Sequence, residues 1–216
     1  MILVNEQPFD VIGAQTESNP LVGLSTLLEQ CLYRLPQCAD VMILKELQYT
    51  AKLFADVTGA LLVTMDNTMI TATDTYTITP ATDAGIKVVY SVKSGANRVP
   101  YNSFTITEAA VPSITVSTAS YIVDAAILRV TCSLTPHEAC LEYPDWFIQQ
   151  YGPAVISGTL ARLMNMDGKP WTDKASAVGL SMTFHTGVLD AVVRRRHGGR
   201  AFTLKNKNPM AWLTAS

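Results

Sequence analysis

The chain has 216 residues, 48% of them hydrophobic and 16% charged, with 16 Lys and Arg against 18 Asp and Glu. That apolar content can bury the core of one large domain or two small ones, and it excludes disorder throughout. The charge is uneven: from Arg194 onward there are six bases and no acid, which leaves the first 193 residues with ten bases against 18 acids, a charge of −8.

The amino terminus, MILVNEQPFD, places an acid and a proline where a secretory leader needs a basic start and an unbroken apolar run. No later segment reads as a membrane-spanning run, so the expectation is a soluble protein made in the cytoplasm, with no membrane partner. Residues 1–18 show no sustained period and read as an extended arm, with one short strand at 1–4. From Asn19-Pro20 the pattern turns helical: Asn19 fits an N-cap, Pro20 the first position, and Leu21, Leu24, Leu27, Leu28, Cys31 and Leu32 recur at three and four, up to Arg34. A second helix follows, capped by Asp40, with a stripe of Ile43, Leu44, Leu47, Ala51, Phe54 and Ala55 and a left-handed stop at Gly59. The two should pack antiparallel.

After Gly59 the composition shifts to Thr, Val, Ile and Ser in alternation, which suits a pleated surface. Strands are expected at 61–66, 75–79, 86–92, 104–106, 113–116 and 127–134, with turns at Asp83-Ala84-Gly85 and Ser94-Gly95-Ala96-Asn97. The helical pattern returns at Pro144 and runs to Asp167-Gly168, apolar on nearly every turn, as a buried central helix does. Gly152-Pro153 should bend it, Gly158 and Ala161 leave room for a neighbouring backbone, and Trp171 anchors the loop beyond. A last helix is expected from a cap at Thr172 or Asp173 to about Arg196, with Ala177, Leu180 or Ser181, Phe184, Val188 and Val192 facing the central helix. Gly198-Gly199 breaks it, and the rest is basic and aperiodic. The fold class is therefore α+β: a helical bundle core (1–60 and 135–197), an inserted antiparallel β domain (61–134) and an extended C-terminal tail (198–216). A single mixed α+β layer is the alternative.

Chemistry is sparse. His137, His185 and His197 form no paired-ligand motif, and no nucleophile elbow or phosphate-binding glycine loop is present. Cys31, Cys38, Cys132 and Cys140 lack CxxC spacing and read as free thiols. Asp66, Asp74, Asp83 and Asp124 read as turn carboxylates, and Asp167 and Asp173 as helix caps. No catalytic residue, metal or cofactor is expected. The Arg194-Arg195-Arg196 run has two readings: a helix C-terminus whose cations meet the negative end of the macrodipole, or a contact for an acidic partner or for phosphates. Trp212 on the aperiodic tail favours binding, since a lone large aromatic there needs a pocket elsewhere. Arg194, Arg195, Arg196, Arg200, Lys205, Lys207 and Trp212 are the candidate partner-binding residues. A nucleic-acid-binding module using this tail is the competing reading.

Two stretches carry a resemblance. LPQCADVMILKELQYTAKLFADVTGAL at 35–61 and YPDWFIQQYGPAVISGTLARLMNMDGKPWTDKASA at 143–177 resemble the head-to-tail connector proteins of tailed double-stranded DNA bacteriophages, also called adaptor or head-completion proteins. Tyr151, Gly158, Leu160, Ala161, Leu163, Pro170 and Trp171 carry it. The resemblance implies a virion structural protein of the capsid portal vertex, the neck, with no catalytic residues. Copies would form a ring, commonly a dodecamer, beneath the portal protein, with double-stranded DNA passing through the lumen unbound and tail or nozzle proteins attaching below. The C-terminal segment would reach the portal.

Overall fold

A computed structural model describes residues 3–4, 15–16, 20–70, 73–80, 83–107, 113–117, 121–122 and 125–196. The order begins with β1 (Leu3–Val4), β2 (Gln15–Thr16), β3 (Leu21–Gly23), α1 (Ser25–Arg34) and α2 (Asp40–Thr58). Next come β4 (Leu62–Thr68), β5 (Thr75–Thr77), β6 (Ala84–Ser94), β7 (Asn97–Arg98), β8 (Phe104–Thr107), β9 (Ser113–Val116), β10 (Ile127–Pro136) and β11 (Glu142–Pro144). The chain then enters α3 (Asp145–Met164) and α4 (Lys174–Arg196). The architecture is mixed α+β, four helices with antiparallel sheets inserted between α2 and α3, as the composition shift at Gly59 implies.

The first helix starts later than its periodicity suggests. Leu21–Gly23 is a strand, antiparallel to β11, and it is pinned at both ends by Asp145 N–H donating to the Pro20 carbonyl at 2.9 Å and Leu24 N–H to Leu141 at 2.8 Å. Pairing with a segment about 120 residues away outweighs the local three-four pattern at Leu21, while Leu24 keeps a helical backbone as the cap of α1. Asn19 lies outside the described residues. α1 then buries Leu27 and Cys31 and closes with Leu35 N–H on the Cys31 carbonyl.

α2 begins with Asp40 as its first helical residue rather than its cap: Ala39 holds the cap position and makes no side-chain cap bond. Its buried seam is Ile43, Leu47, Thr50, Ala51, Phe54, Ala55 and Thr58. Gly59 ends it at φ +58°, a left-handed conformation that costs an L side chain about 1–2 kcal/mol.

The main sheet has the order β1-β6-β10-β4-β2, with β7 turned back on β6 through Gly95. β10 is central and antiparallel to β4 and β6, while the two-residue edges β1 and β2 run parallel to their neighbours. Leu128, Val130, Cys132 and Leu134 alternate along β10 and are fully buried. β5, β9 and β8 form a second, three-stranded antiparallel sheet. Ala84 and Gly85 belong to β6 rather than to a turn: Gly85 pairs with Thr135 and Ala84 with Pro136, because β10 runs on to meet them. Asp66 likewise lies within β4, not at a turn, and forms a bidentate pair with Arg129 of β10.

α3 is apolar on most of its circumference because most of it is buried, and Gln149, Gln150, Pro153 and Arg162 are its exposed positions. Phe147, Ile148, Tyr151, Val155, Ile156, Leu160 and Leu163 all fall in the core. Pro144 is the residue before the helix, closing β11, rather than part of the first turn. The helix stops at Met164, four residues before Gly168. Thr172 provides the reason: its hydroxyl donates to the Met166 carbonyl and accepts from Lys169 N–H, folding the loop back so that Asp173 N–H reaches the Met164 carbonyl at 2.9 Å. Trp171 packs half-buried against the core as the anchor expected.

One contiguous apolar cluster runs from Leu24 in the helices to Val116 and Leu134 in the sheets. At its helical end Phe54 meets Tyr151 (centroids 5.0 Å apart), Phe184 (6.0 Å) and Phe147 (6.1 Å), so one ring of α2 touches both α3 and α4. Such pairs add about 0.5–1.5 kcal/mol each beyond burial.

Candidate interaction surface on the last helix

α4 is started by Asp173, whose carboxylate accepts from Ser176 N–H (3.1 Å) and Ser176 Oγ (2.6 Å), and these bonds hold its carboxyl below the usual range. Lys174 pairs with Asp167 across the loop at 2.6 Å. Ala177, Phe184 and Ala191, spaced by seven, form the seam on α3, with Leu180 and Val188 beside them. Small residues set the closeness: a Cβ on Gly187 would stand 2.6 Å from Ala154 Cβ, and one on Gly158 2.6 Å from Phe184 and 2.7 Å from Thr50. The expectation that α4 packs back on the central helix is met, but Gly158 makes room for the side chains of Phe184 and Thr50 rather than for a neighbouring backbone.

The opposite side of α4 is also apolar. Val178, Met182, Leu189 and Val193 are 63%, 67%, 66% and 42% exposed. At 100° per residue they lie about 120° to 180° around the helix from Phe184, so they form one outward stripe. By length and composition alone this helix could cross a membrane, and little of its most apolar stretch is buried. That corrects the expectation that no segment reaches membrane-spanning length. Its charges fall at 174, 190 and 194–196, and residues 175–189 between them carry no Asp, Glu, Lys or Arg.

Beside the stripe lies a groove of about 470 Å³ between α2, α3 and α4. Leu53, Ala161, Val178, Met182 and Phe184 give it apolar walls, with Arg162, Asn165, Ser181 and His185 on the same lining. Thr50, 1% exposed, lines it too, and its hydroxyl has no hydrogen-bond partner. Arg162 is fixed by Glu46 (2.6 Å) and lies 4.1 Å over the Tyr49 ring.

The arginine run divides. Arg194 pairs with Asp190 one turn back at 2.7 Å. Arg195 turns onto the C-terminus of α2: a Cβ on Gly59 would stand 2.5 Å from its guanidinium and 3.6 Å from the Tyr90 hydroxyl. A cation there meets the negative end of the α2 dipole, so Arg195 serves the α2–α4 junction. Arg196 ends the helix, and its side chain lies outside the described residues, as do His197, the Gly198-Gly199 break, Arg200, Lys205, Lys207 and Trp212. The structure thus brings together Arg194 and Arg195 only, and engages both within the chain.

No family model matches this sequence, and no curated protein matches it.

Among the described residues no group of three or more His, Cys, Asp or Glu could hold a metal ion. His137 faces Asp83 at 3.8 Å, with both exposed, and His185 packs by Phe184. All four cysteines are buried and free, and burial pushes the Cys31 thiol up to about 11. Burial also raises Tyr143 and Tyr151, the latter eased by Arg194 nearby. Asp124 is outside the described residues. Sequence reasoning missed the outer stripe of α4. Its signal was present, since 178, 182, 189 and 193 recur at four and seven beside the inward set, but a helix apolar on two faces reads as one apolar helix.

Proposed function

We propose that this chain is a structural connector subunit of the head-to-tail type, which assembles as a ring beneath the portal protein of a tailed double-stranded DNA bacteriophage, extends its DNA channel and receives the tail. The observation that carries the reading is the outward stripe Val178, Met182, Leu189 and Val193 on a helix already packed by its other face. Contiguous apolar surface of this kind marks an interaction site, and a repeated subunit covers it with its neighbour. The acidic balance of residues 1–193 suits a lumen through which DNA slides, because like charge repels phosphates. The element order, two helices, a β insertion and two helices, agrees with the layout the resemblance implies. In this reading the basic segment after α4 is the portal contact.

The nucleic-acid module gains no support from the described residues, because Arg194 and Arg195 are already engaged by Asp190 and the α2 terminus. Imaging the purified protein mixed with the portal protein of the same genome tests the proposal. A ring of added density on the portal is expected. Unaltered portal density, together with salt-sensitive binding of free duplex DNA, would favour the module instead.

A further inference from the structure

The apolar surface around the outward stripe is wider than α4 itself. On α2, Leu53 lines the groove, and Tyr49 and Val57, one turn to either side of it, are both exposed. Groove and stripe thus make one apolar face across α2 and α4, and the stripe runs up to Val193, three residues before α4 ends at Arg196. Residues 197–216 follow directly, with Gly198-Gly199 at their start, and a glycine pair lets a chain reverse because it accepts either sign of φ. The sequence beyond the glycines has no helical period, but it has another. Its large apolar residues are Phe202, Leu204, Met210, Trp212 and Leu213; the first four stand at even positions, whereas Lys205 and Lys207 stand at odd ones. Positions separated by even steps share one face of an extended chain, so that pattern gives the segment an apolar side and a basic side.

We infer that residues 200–213 dock in extended form on the α2/α4 face of their own chain, with Phe202 and Leu204 on Leu189 and Val193 and with Trp212 in the groove. The lengths agree. Ten extended steps from Phe202 to Trp212 reach up to about 33 Å, and the stripe from Val193 back to Val178 spans about 22 Å, so the polar KNKNP between the two apolar pairs takes up the slack. The groove, about 470 Å³, has room for an indole between Leu53, Ala161 and Phe184. Asn165 and Ser181 on its lining supply acceptors for the indole N–H, which can only donate. Lys205 and Lys207 then face outward, where a partner can reach them. The tether selects this occupant over a second copy. A flexible link of a few residues holds the segment at an effective concentration on the order of mM, far above that of a free chain in micromolar solution. The docking stands on the chain's own length and pattern; only its consequence, that vacating the stripe frees it for a neighbouring subunit, rests on the ring reading above.

The test uses the full chain with a benzophenone amino acid at position 212, in an equal mixture of isotopically light and heavy protein. Irradiation should give crosslinks within one chain, light to light and heavy to heavy, from position 212 to 50–53, 158–165 or 177–185. The same probe at position 205, on the basic side, should not reach these peptides. Val178→Asp, a change at an exposed position, should remove the crosslinks and leave circular dichroism unchanged. Light-to-heavy crosslinks would show that a second copy fills the groove and would overturn the docking, as would crosslinks that map elsewhere or equal yields from 205 and 212. In the full chain, Phe202→Ser with Trp212→Ser should lower the concentration at which sedimentation detects self-association by tenfold or more, because the tethered competitor is lost. Crosslinks as expected with self-association unchanged would uphold the docking and count against the stripe as the ring contact. Ring formation without the intrachain crosslinks would overturn the docking and leave the ring reading standing.

Discussion

The close approach of α3 and α4 at Ala154 and Gly187 makes one substitution change sign along a single helix. Gly→Ala inside a helix gains about 0.5–1 kcal/mol from backbone entropy alone. At Gly179 nothing lies within 4 Å of the added methyl, so Gly179→Ala should stabilise by that amount. At Gly187 the methyl would stand 2.6 Å from Ala154 Cβ, against an ordinary carbon contact of about 3.5–4.0 Å. Neither Cβ can rotate away, so the helices must part by about 1 Å, and overpacking of that kind costs about 1–3 kcal/mol. The net expectation for Gly187→Ala is a loss of about 1–2 kcal/mol, a fall of about 2–8 °C in Tm for a chain of this size. Urea unfolding at constant slope is the assay. Ala154→Gly in the same molecule should recover most of the steric cost, giving a coupling of about 1 kcal/mol or more in a double-mutant cycle. If Gly187→Ala proved as stabilising as Gly179→Ala, the helices would not meet there and the described seam would be wrong.

Other outcomes follow from the same geometry. Asp replacing Val178, Met182 and Leu189 together should leave the subunit folded, since all three are exposed, but abolish self-association in sedimentation. The side-chain bonds from Arg129 hold the Asp66 carboxyl below its ordinary value. A depressed folded pKa contributes stability above the unfolded value near pH 4 and loses it as pH falls through the folded one; Asp66→Asn should remove that acid dependence and cost no more than about 1 kcal/mol at pH 7, because the pair is exposed. A titration of stability from pH 6 to pH 2 in both proteins checks it. The four buried thiols should be silent to an aromatic disulfide reagent at pH 8 in the folded protein and all react in guanidinium; a fast-reacting thiol in the native state would contradict their burial.

The helices were legible where one period served one buried face. α2 ends at the glycine that its φ requires, and Ser113–Val116 falls where the alternation of Ile114 and Val116 puts it. Legibility failed where a distant partner decided. Leu21–Gly23 gave up a helical pattern to pair with Glu142–Pro144, Gly85 joined a strand because β10 continues to Thr135, and α3 stopped early because Thr172 folds the loop back. The candidate surface was harder still. Arg194 and Arg195 read from the sequence as either a helix C-terminus or a partner contact; Asp190, one turn back, pairs with the first, and the end of α2, 136 residues away at Gly59, receives the second. The groove needs three helices at once, and no local pattern in one of them could disclose it.

Native mass spectrometry of the purified chain, alone and mixed with portal rings from the same genome, tests the connector reading most directly. The account predicts a closed assembly of many copies bound to the portal, which is lost when residues 197–216 are removed although the truncated chain remains folded. A chain that leaves the portal mass unchanged at every mixing ratio would contradict it.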